Sequence, residues 1–381
     1  MRGGAGLVGS GFALVGACYG LARFAYGLFL PAMGADLGLD QTRAGLIGAG
    51  AFAAYCVAVC AASVLCDRVG PRAVATAAGV AATAGMALVA SVRSPPMLGV
   101  AVALAGLSTG LASPPLAAAV SVAVAPARRA AANTFINSGT SAGVILSGPA
   151  ALLFADAWRE AYVAFCIVSL GVTVWVWRAT PARAGGGDGP PGLLPALAAP
   201  GLRPALAAAF LAGAASTAVW TFGGRLLHDL AGWDGARVGL AWVVIGAAGL
   251  AGAAAGALVR AFGLNAVHRL SLAAMAASFL TLASFAGVAP LAFLAAALFG
   301  GAYIMLTGVL LVWGVEAVPS RPALGLGAPF LALAVGQVVG ASAFGALYDA
   351  LGAPAALTAS GAVCFGAMAF GRAEPVARCA P

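Results

Sequence analysis

The chain has 381 residues, 62% of them hydrophobic and 8% charged, and a mean hydropathy of +1.03. Soluble domains carry about 25% charged residues, so this composition excludes a soluble enzyme or binding domain and specifies a polytopic α-helical membrane protein. The formal charge of +8 rests on 19 arginines and no lysine, placed singly or in pairs between apolar runs, which excludes a nucleic-acid-binding face.

Apolar runs bounded by charge, glycine or proline predict helices near residues 7–33, 44–66, 72–92, 96–121, 131–154 and 160–178. After a break they resume near 203–228, 237–259, 267–288, 290–317, 324–349 and 352–371. The first run is too long for a signal-peptide core and contains Arg23, so it reads as a retained helix. The break runs from Arg178 through Arg183, Gly185-Gly-Gly-Asp188 and Pro190-Pro191 to Pro204, a Gly/Pro-rich stretch that reads as a flexible linker. The expected organisation is a six-helix bundle over 1–180, a cytoplasmic linker over 181–202 and a second six-helix bundle over 203–381.

Arginine placement gives the orientation. With the first residue inside, thirteen arginines fall on cytoplasmic segments and four (Arg43, Arg93, Arg159, Arg237) on outer loops, while Arg23 and Arg225 lie within helices. That bias predicts both termini in the cytoplasm. The halves also repeat weakly. Arg43-Ala-Gly-Leu46 recurs as Arg237-Val-Gly-Leu240, and Asp67-Arg68-Val-Gly70 as Arg260-Ala-Phe-Gly263.

The loop after the second helix, Ser63-Val-Leu-Cys-Asp67-Arg68-Val-Gly70-Pro71-Arg72, resembles the G-x-x-x-D-R/K-x-G-R/K-R/K signature of the major facilitator superfamily. Asp67, Arg68, Gly70 and Arg72 match, while Ser63 and Pro71 depart from it. The resemblance covers the whole chain and implies an all-α fold of twelve transmembrane helices in two pseudo-symmetric bundles, acting as a secondary transporter and not an enzyme. It further implies a cytoplasmic gate at Asp67, Arg68, Gly70 and Arg72, with Asp67 meeting the N-terminus of a helix that starts near Leu324. The family's helix-4 arginine is missing from Gly106-Leu-Ser-Thr-Gly110. Helix 5, with Gly143 and Gly148-Pro149, is similar to an antiporter motif with a spacing one residue too long, and mildly favours export. The segment Arg23-Phe-Ala-Tyr-Gly27 with Pro31 looks like the first helix of a large group of bacterial permeases.

The resemblance also implies that helices 1, 4, 7 and 10 line the cavity. Polar and aromatic residues there and on helices 5 and 11 are candidates: Tyr19, Arg23, Tyr26, Ser108, Thr109, Asn133, Asn137, Thr140, Thr217, Trp220, Thr221, Arg225, Tyr303, Thr307 and Gln337. Of these, Arg23, Tyr19, Tyr26, Asn137, Trp220, Tyr303 and Gln337 are the expected cavity set. Arg23 stands out because an arginine at bilayer depth costs about 2.5–3.5 kcal/mol on insertion scales and so faces a partner or a ligand. All eleven acids lie at helix ends or in loops, so no carboxylate is placed to neutralise it. Two readings stay open: a clamp on carbonyls or on an amide such as Asn137, and an anion-binding or coupling element. Trp158, Trp233 and Trp313, near helix ends, read as interfacial anchors, and Gly139-x-x-x-Gly143 and Gly252-x-x-x-Gly256 as close-packing motifs.

The seven cysteines show no C-x-x-C spacing, and the two histidines are far apart, so neither metal nor cofactor is expected. Proton coupling stays open, but no mid-membrane acid is available to carry the proton. The expected partner is a small organic molecule, anionic or amphipathic, and the protein is expected to be a monomer in the bacterial inner membrane.

Overall fold

A computed structural model describes residues 2–154, 157–182, 201–318 and 322–372. Most of the expected linker (183–200), along with Asp156, Arg321, Glu374, Arg378 and Cys379, lies outside the described residues.

Among the described residues the chain is helical, without strands. The first rod is α1 (Arg2–Val15), a π-helix (Gly16–Phe24) and α2 (Ala25–Leu37). Single rods follow: α3 (Gln41–Val69), α4 (Pro71–Ser91), α5 (Pro95–Ala123), α6 (Pro126–Phe154) and α7 (Trp158–Ala179). The second half begins with α8 (Arg203–Trp220) and α9 (Gly223–Ala231), bent by 52° at Thr221–Phe222. It continues through α10 (Gly235–Gly249), a 3-10 turn (Leu250–Ala254), α11 (Ala255–Phe262), α12 (Leu264–Phe285), α13 (Ala289–Ala317), α14 (Pro322–Leu351) and α15 (Ala353–Ala367). Among the described residues nine helices are long and apolar enough to cross a membrane, or ten when α8 and α9 count as one span. With α6 and the shorter α15 occupying the fifth and twelfth positions, the order is that of two six-helix bundles.

The internal repeat has a physical basis. Gly38 and Gly232 end helices in the left-handed conformation (φ 64° and 66°), and two residues on Asp40 and Asp234 cap the next helix by accepting the amides of Arg43 and Arg237. The matching loops place Gly70 and Gly263 at φ 84° and 86°, a region closed to side chains with a Cβ, which explains why glycine survives there in both copies.

Two elements were not legible as predicted. The π-helix, rare in proteins and concentrated at functional sites, covers the Arg23 region. Trp158, Trp233 and Trp313 are buried instead of sitting at the membrane surface, because each has an aromatic or cationic partner inside: Arg159 over Trp158, Phe293 against Trp233 and His268 against Trp313. Trp175 and Trp177 are the exposed ones.

Glycine sets how closely the rods approach. A Cβ on Gly20 would run into the backbone of Gly143 and Val144, and Gly139 and Gly143 in turn abut Phe12 and Gly16, so the predicted Gly139/Gly143 motif is the contact between α6 and the first rod. Gly252 packs hard on Ile304, whereas Gly256 meets only the Arg260 side chain. Replacing Gly20 with Ala is expected to cost about 1–3 kcal/mol through overpacking, whereas Gly6→Ala, with open space around it, is expected to change stability by less than about 0.5 kcal/mol. Thermal unfolding in detergent measures both, and equal melting temperatures would refute the packing argument.

Candidate functional site

The two bundles meet along one half of their length. Close backbone approaches join Gly27 to Trp220, Gly224 to Gly27 and Leu28, Gly45 to Ala341, Gly345 to Gln41 and Gly148 to Gly239. These pair α2 with α8 and α9, α3 with α14, and α6 with α10. At the mouth of this half, the Asp349 carboxylate at the end of α14 accepts the backbone amides of Gln41 (3.1 Å) and Thr42 (2.7 Å) and the Thr42 hydroxyl (2.6 Å). An aspartate of one bundle thus caps a helix of the other, satisfying first-turn amides that have no partner within their own helix. Beside it, Asp229 accepts from Arg225 Nε (2.7 Å) and the Tyr348 hydroxyl (2.9 Å), with Arg225 lying against Gly34 of α2.

Arg23 lies at the inner edge of this contact. It is 6% exposed, and its Nη2 donates to Gln337 Oε1 on α14 at 2.9 Å, across the bundle interface. The Gln337 amide in turn donates to the hydroxyls of Tyr303 (3.1 Å) and Ser216 (3.3 Å). Four rings surround the guanidinium, with centroids at 4.4 Å (Phe52), 4.8 Å (Tyr55), 5.3 Å (Phe24) and 5.9 Å (Tyr19). Ring faces stabilise a desolvated cation by roughly 2 kcal/mol in favourable cases, so the cage offsets part of the burial cost without a counter-ion. Trp220 stacks on Phe24 at 4.0 Å, again across the interface, and packs edge-on to Phe299 and Tyr303.

Around Arg23, buried hydrogen-bond donors are left without acceptors. Arg23 Nε and Trp220 Nε1 are buried and have no partner among the described residues. The one amide oxygen present, Gln337 Oε1, is already engaged. The guanidinium brings a delocalised positive charge with a planar fork of donors. Such a site fits a ligand group rich in acceptors.

The expected cavity residues divide accordingly. Arg23, Gln337, Tyr303 and Trp220 come together, and Tyr19 joins through its ring contact to Tyr55 and a 3.4 Å hydroxyl contact to Ser113. Tyr26 does not join: it is buried, and its hydroxyl donates to the Ala44 carbonyl at 2.9 Å. The even helical spacing that put Tyr26 on the same face as Arg23 is broken by the π-helix ending between them. Asn137 is exposed on α6, and the amide that meets Arg23 is Gln337. Ser108, Thr109, Thr217 and Thr307 turn their hydroxyls back to carbonyls of their own helices. Phe52 and Tyr55 were not anticipated, although two aromatics three apart on the second helix carried the signal.

At the opposite end, Asp67 and Arg68 are exposed, and neither holds an ion pair or hydrogen bond among the described residues. Arg72 is turned to its own bundle, its Nε donating to the Thr180 carbonyl at 2.7 Å. The expected Asp67 contact to α14 is not engaged in this arrangement.

Residues 12–332 match the family model described as Major Facilitator Superfamily. No curated protein sequence matches the chain. Among solved structures, the nucleoside transporter NupG superposes with TM-score 0.79 at 14% identity, covering 97% of this chain and 99% of its own. A D-xylose-proton symporter gives 0.76 at 15%, covering 96% of each chain. A bacterial homologue of the human lysosomal transporter Spinster, described as inward-facing and unoccupied, gives 0.73 at 15%, covering 97% of this chain and 95% of its own.

Replacing Gln337 with Leu leaves the buried Arg23 without its side-chain acceptor and is expected to cost more than about 1–3 kcal/mol. Gln337→Glu supplies a counter-ion at the same reach and is expected to raise the melting temperature relative to Gln337→Leu. Equal thermal stability of wild type and Gln337→Leu would show that the bond carries no weight.

Proposed function

From the premise that the chain belongs to the Major Facilitator Superfamily, a family of membrane transporters, we propose that it moves a small organic solute across the bacterial inner membrane by alternating access, with export the favoured direction. Residues 1–180 and 203–381 act as the two rocking bundles and 181–202 as their tether. The monomer works with both termini in the cytoplasm. On that orientation the sealed half is the outer one and the end carrying the unengaged Asp67 faces the cytoplasm, which suits an inward-facing arrangement.

The observation that carries this reading is the chamber where Arg23 of one bundle meets Gln337 of the other. A ligand with an acidic or otherwise acceptor-rich group competes with Gln337 for the guanidinium and satisfies Arg23 Nε. Binding is thereby linked to the bundle contact, and that link is what alternating access requires. An anionic or amphipathic solute suits the charge and the aromatic walls. Export is supported by the glycine-proline pattern of α6, Gly143 with Gly148-Pro149.

A proton-coupled uptake symporter is the competing reading, and one fold neighbour carries that description. Against a carboxylate-borne proton stands the placement of all eleven acids at helix ends or in loops.

Asp349 then acts as the outer latch and Asp67 as its counterpart on the cytoplasmic side. In proteoliposomes screened with a panel of small organic anions and neutral solutes, Arg23→Ala is expected to abolish transport of the solute that wild type carries; unchanged kinetics would assign Arg23 to structure alone. Asp349→Asn is expected to raise several-fold the thiol-labelling rate from the outer side of a cysteine placed at Ala341, on a background lacking the native thiols. Equal labelling in the two forms would remove Asp349 from the gate.

A further inference from the structure

Arg72 matches the signature loop yet takes no part in the contact between bundles. It is the second residue of α4, and its Nε bond to the Thr180 carbonyl ties the start of α4 to the end of α7. That bond uses one guanidinium edge. The terminal nitrogens have no partner among the described residues, and Arg72 lines a groove of about 300 Å³ together with Val69, Ala73, Thr76, Trp177 and Ala182.

The groove has the layered chemistry of a phospholipid headgroup site. Its walls, Val69, Ala73 and the ring of Trp177, are apolar and lie on the outer surface of the bundle, where Trp177 is 55% exposed. A tryptophan in the last turn of a spanning helix sits at headgroup level. Thr76, one helical turn beyond Arg72, also lines the groove, and its buried hydroxyl has no hydrogen-bond partner among the described residues. In sequence, Arg68 and Arg178 flank the site against the single acid Asp67, so the local field favours an anion. A free phosphate would use the arginine but leave the apolar walls in water; a phosphodiester carrying acyl chains uses both.

We propose that this groove between α4 and α7 binds the headgroup of an anionic phospholipid, with the phosphate on Arg72 and the acyl chain running along Trp177. The lipid then braces the same α4–α7 junction that the Arg72–Thr180 bond holds. This site is separate from the Arg23 chamber and stands or falls independently of the solute carried.

The test is native mass spectrometry of the full chain equilibrated with equal amounts of phosphatidylglycerol and phosphatidylcholine. Wild type is expected to retain one phosphatidylglycerol in preference to phosphatidylcholine. Arg72→Gln is expected to lower that retention about tenfold, the scale of one lost charge-assisted hydrogen bond. Arg93→Gln, which removes an exposed arginine on another loop, is expected to leave it unchanged. Where Arg72→Gln folds poorly, Arg72→Lys and Thr76→Val report instead, and each is expected to weaken retention partially. Equal retention of the two lipids would overturn the proposal, as would equal loss in Arg72→Gln and Arg93→Gln. Displacement of the lipid by inorganic phosphate at millimolar concentration would also overturn it, in favour of a free-anion site. Absence of any retained lipid in wild type would likewise overturn it.

Discussion

A buried guanidinium sits between two bundles, away from water. That fact organises what surrounds it. The charge needs acceptors and polarisable faces, and the protein supplies them from both halves: an amide from α14 and rings from the π-helix, α3 and, one layer out, α8. Among the described residues no carboxylate takes the role. A carboxylate partner would make a stronger bond across the interface and hold the bundles together more firmly, whereas a neutral amide gives a bond of moderate strength that a ligand can replace. Glutamine in place of glutamate therefore leaves the contact across the interface the weaker of the two.

The two ends of the interface differ in kind. One half is closed by backbone-to-backbone contacts through glycines, with Asp349 capping a helix of the opposite bundle. The other end presents Asp67 and Arg68 to solvent. Aspartates therefore stand near both mouths of the seam, each on the α3–α14 helix pair, and one of them is engaged. Glycine contacts are strong only at van der Waals distance, so they act as an on-or-off seal. Helix caps by exposed carboxylates are weaker and exchange with water. A seal of that composition separates at modest cost once its central bond is replaced.

Much of this was legible in the sequence. The helix order follows from hydropathy alone, because a membrane rod has to be about twenty apolar residues long. The repeat could be read because its most constrained positions are the glycines at positive φ and the capping aspartates, which tolerate few substitutes. Arg23 could be singled out because a lone charge in an apolar run is costly. Its partner could not be fixed, since Asn137 and Gln337 are equally plausible amides until the bundles are assembled. Tyr26 was misassigned because even α-helical spacing was assumed through a stretch where the helix widens. The tryptophans at helix ends were misread for a related reason: position along a helix says how deep a side chain sits but not which way it faces.

The widened stretch of the first rod has a mechanical consequence. Before it, α1 packs against α5, α6 and α7 of its own bundle; beyond it, α2 keeps contact with α3, α6 and α7 and also packs against α9 and α10 of the other. The same continuous rod is thus anchored to two bodies, with Gly16–Phe24 between the anchors. A π-helix has poorer stacking and looser hydrogen bonds than an α-helix and so twists and bends more readily. Were the two bodies to turn relative to one another, torque would fall on that segment and so on the residue that carries the charge.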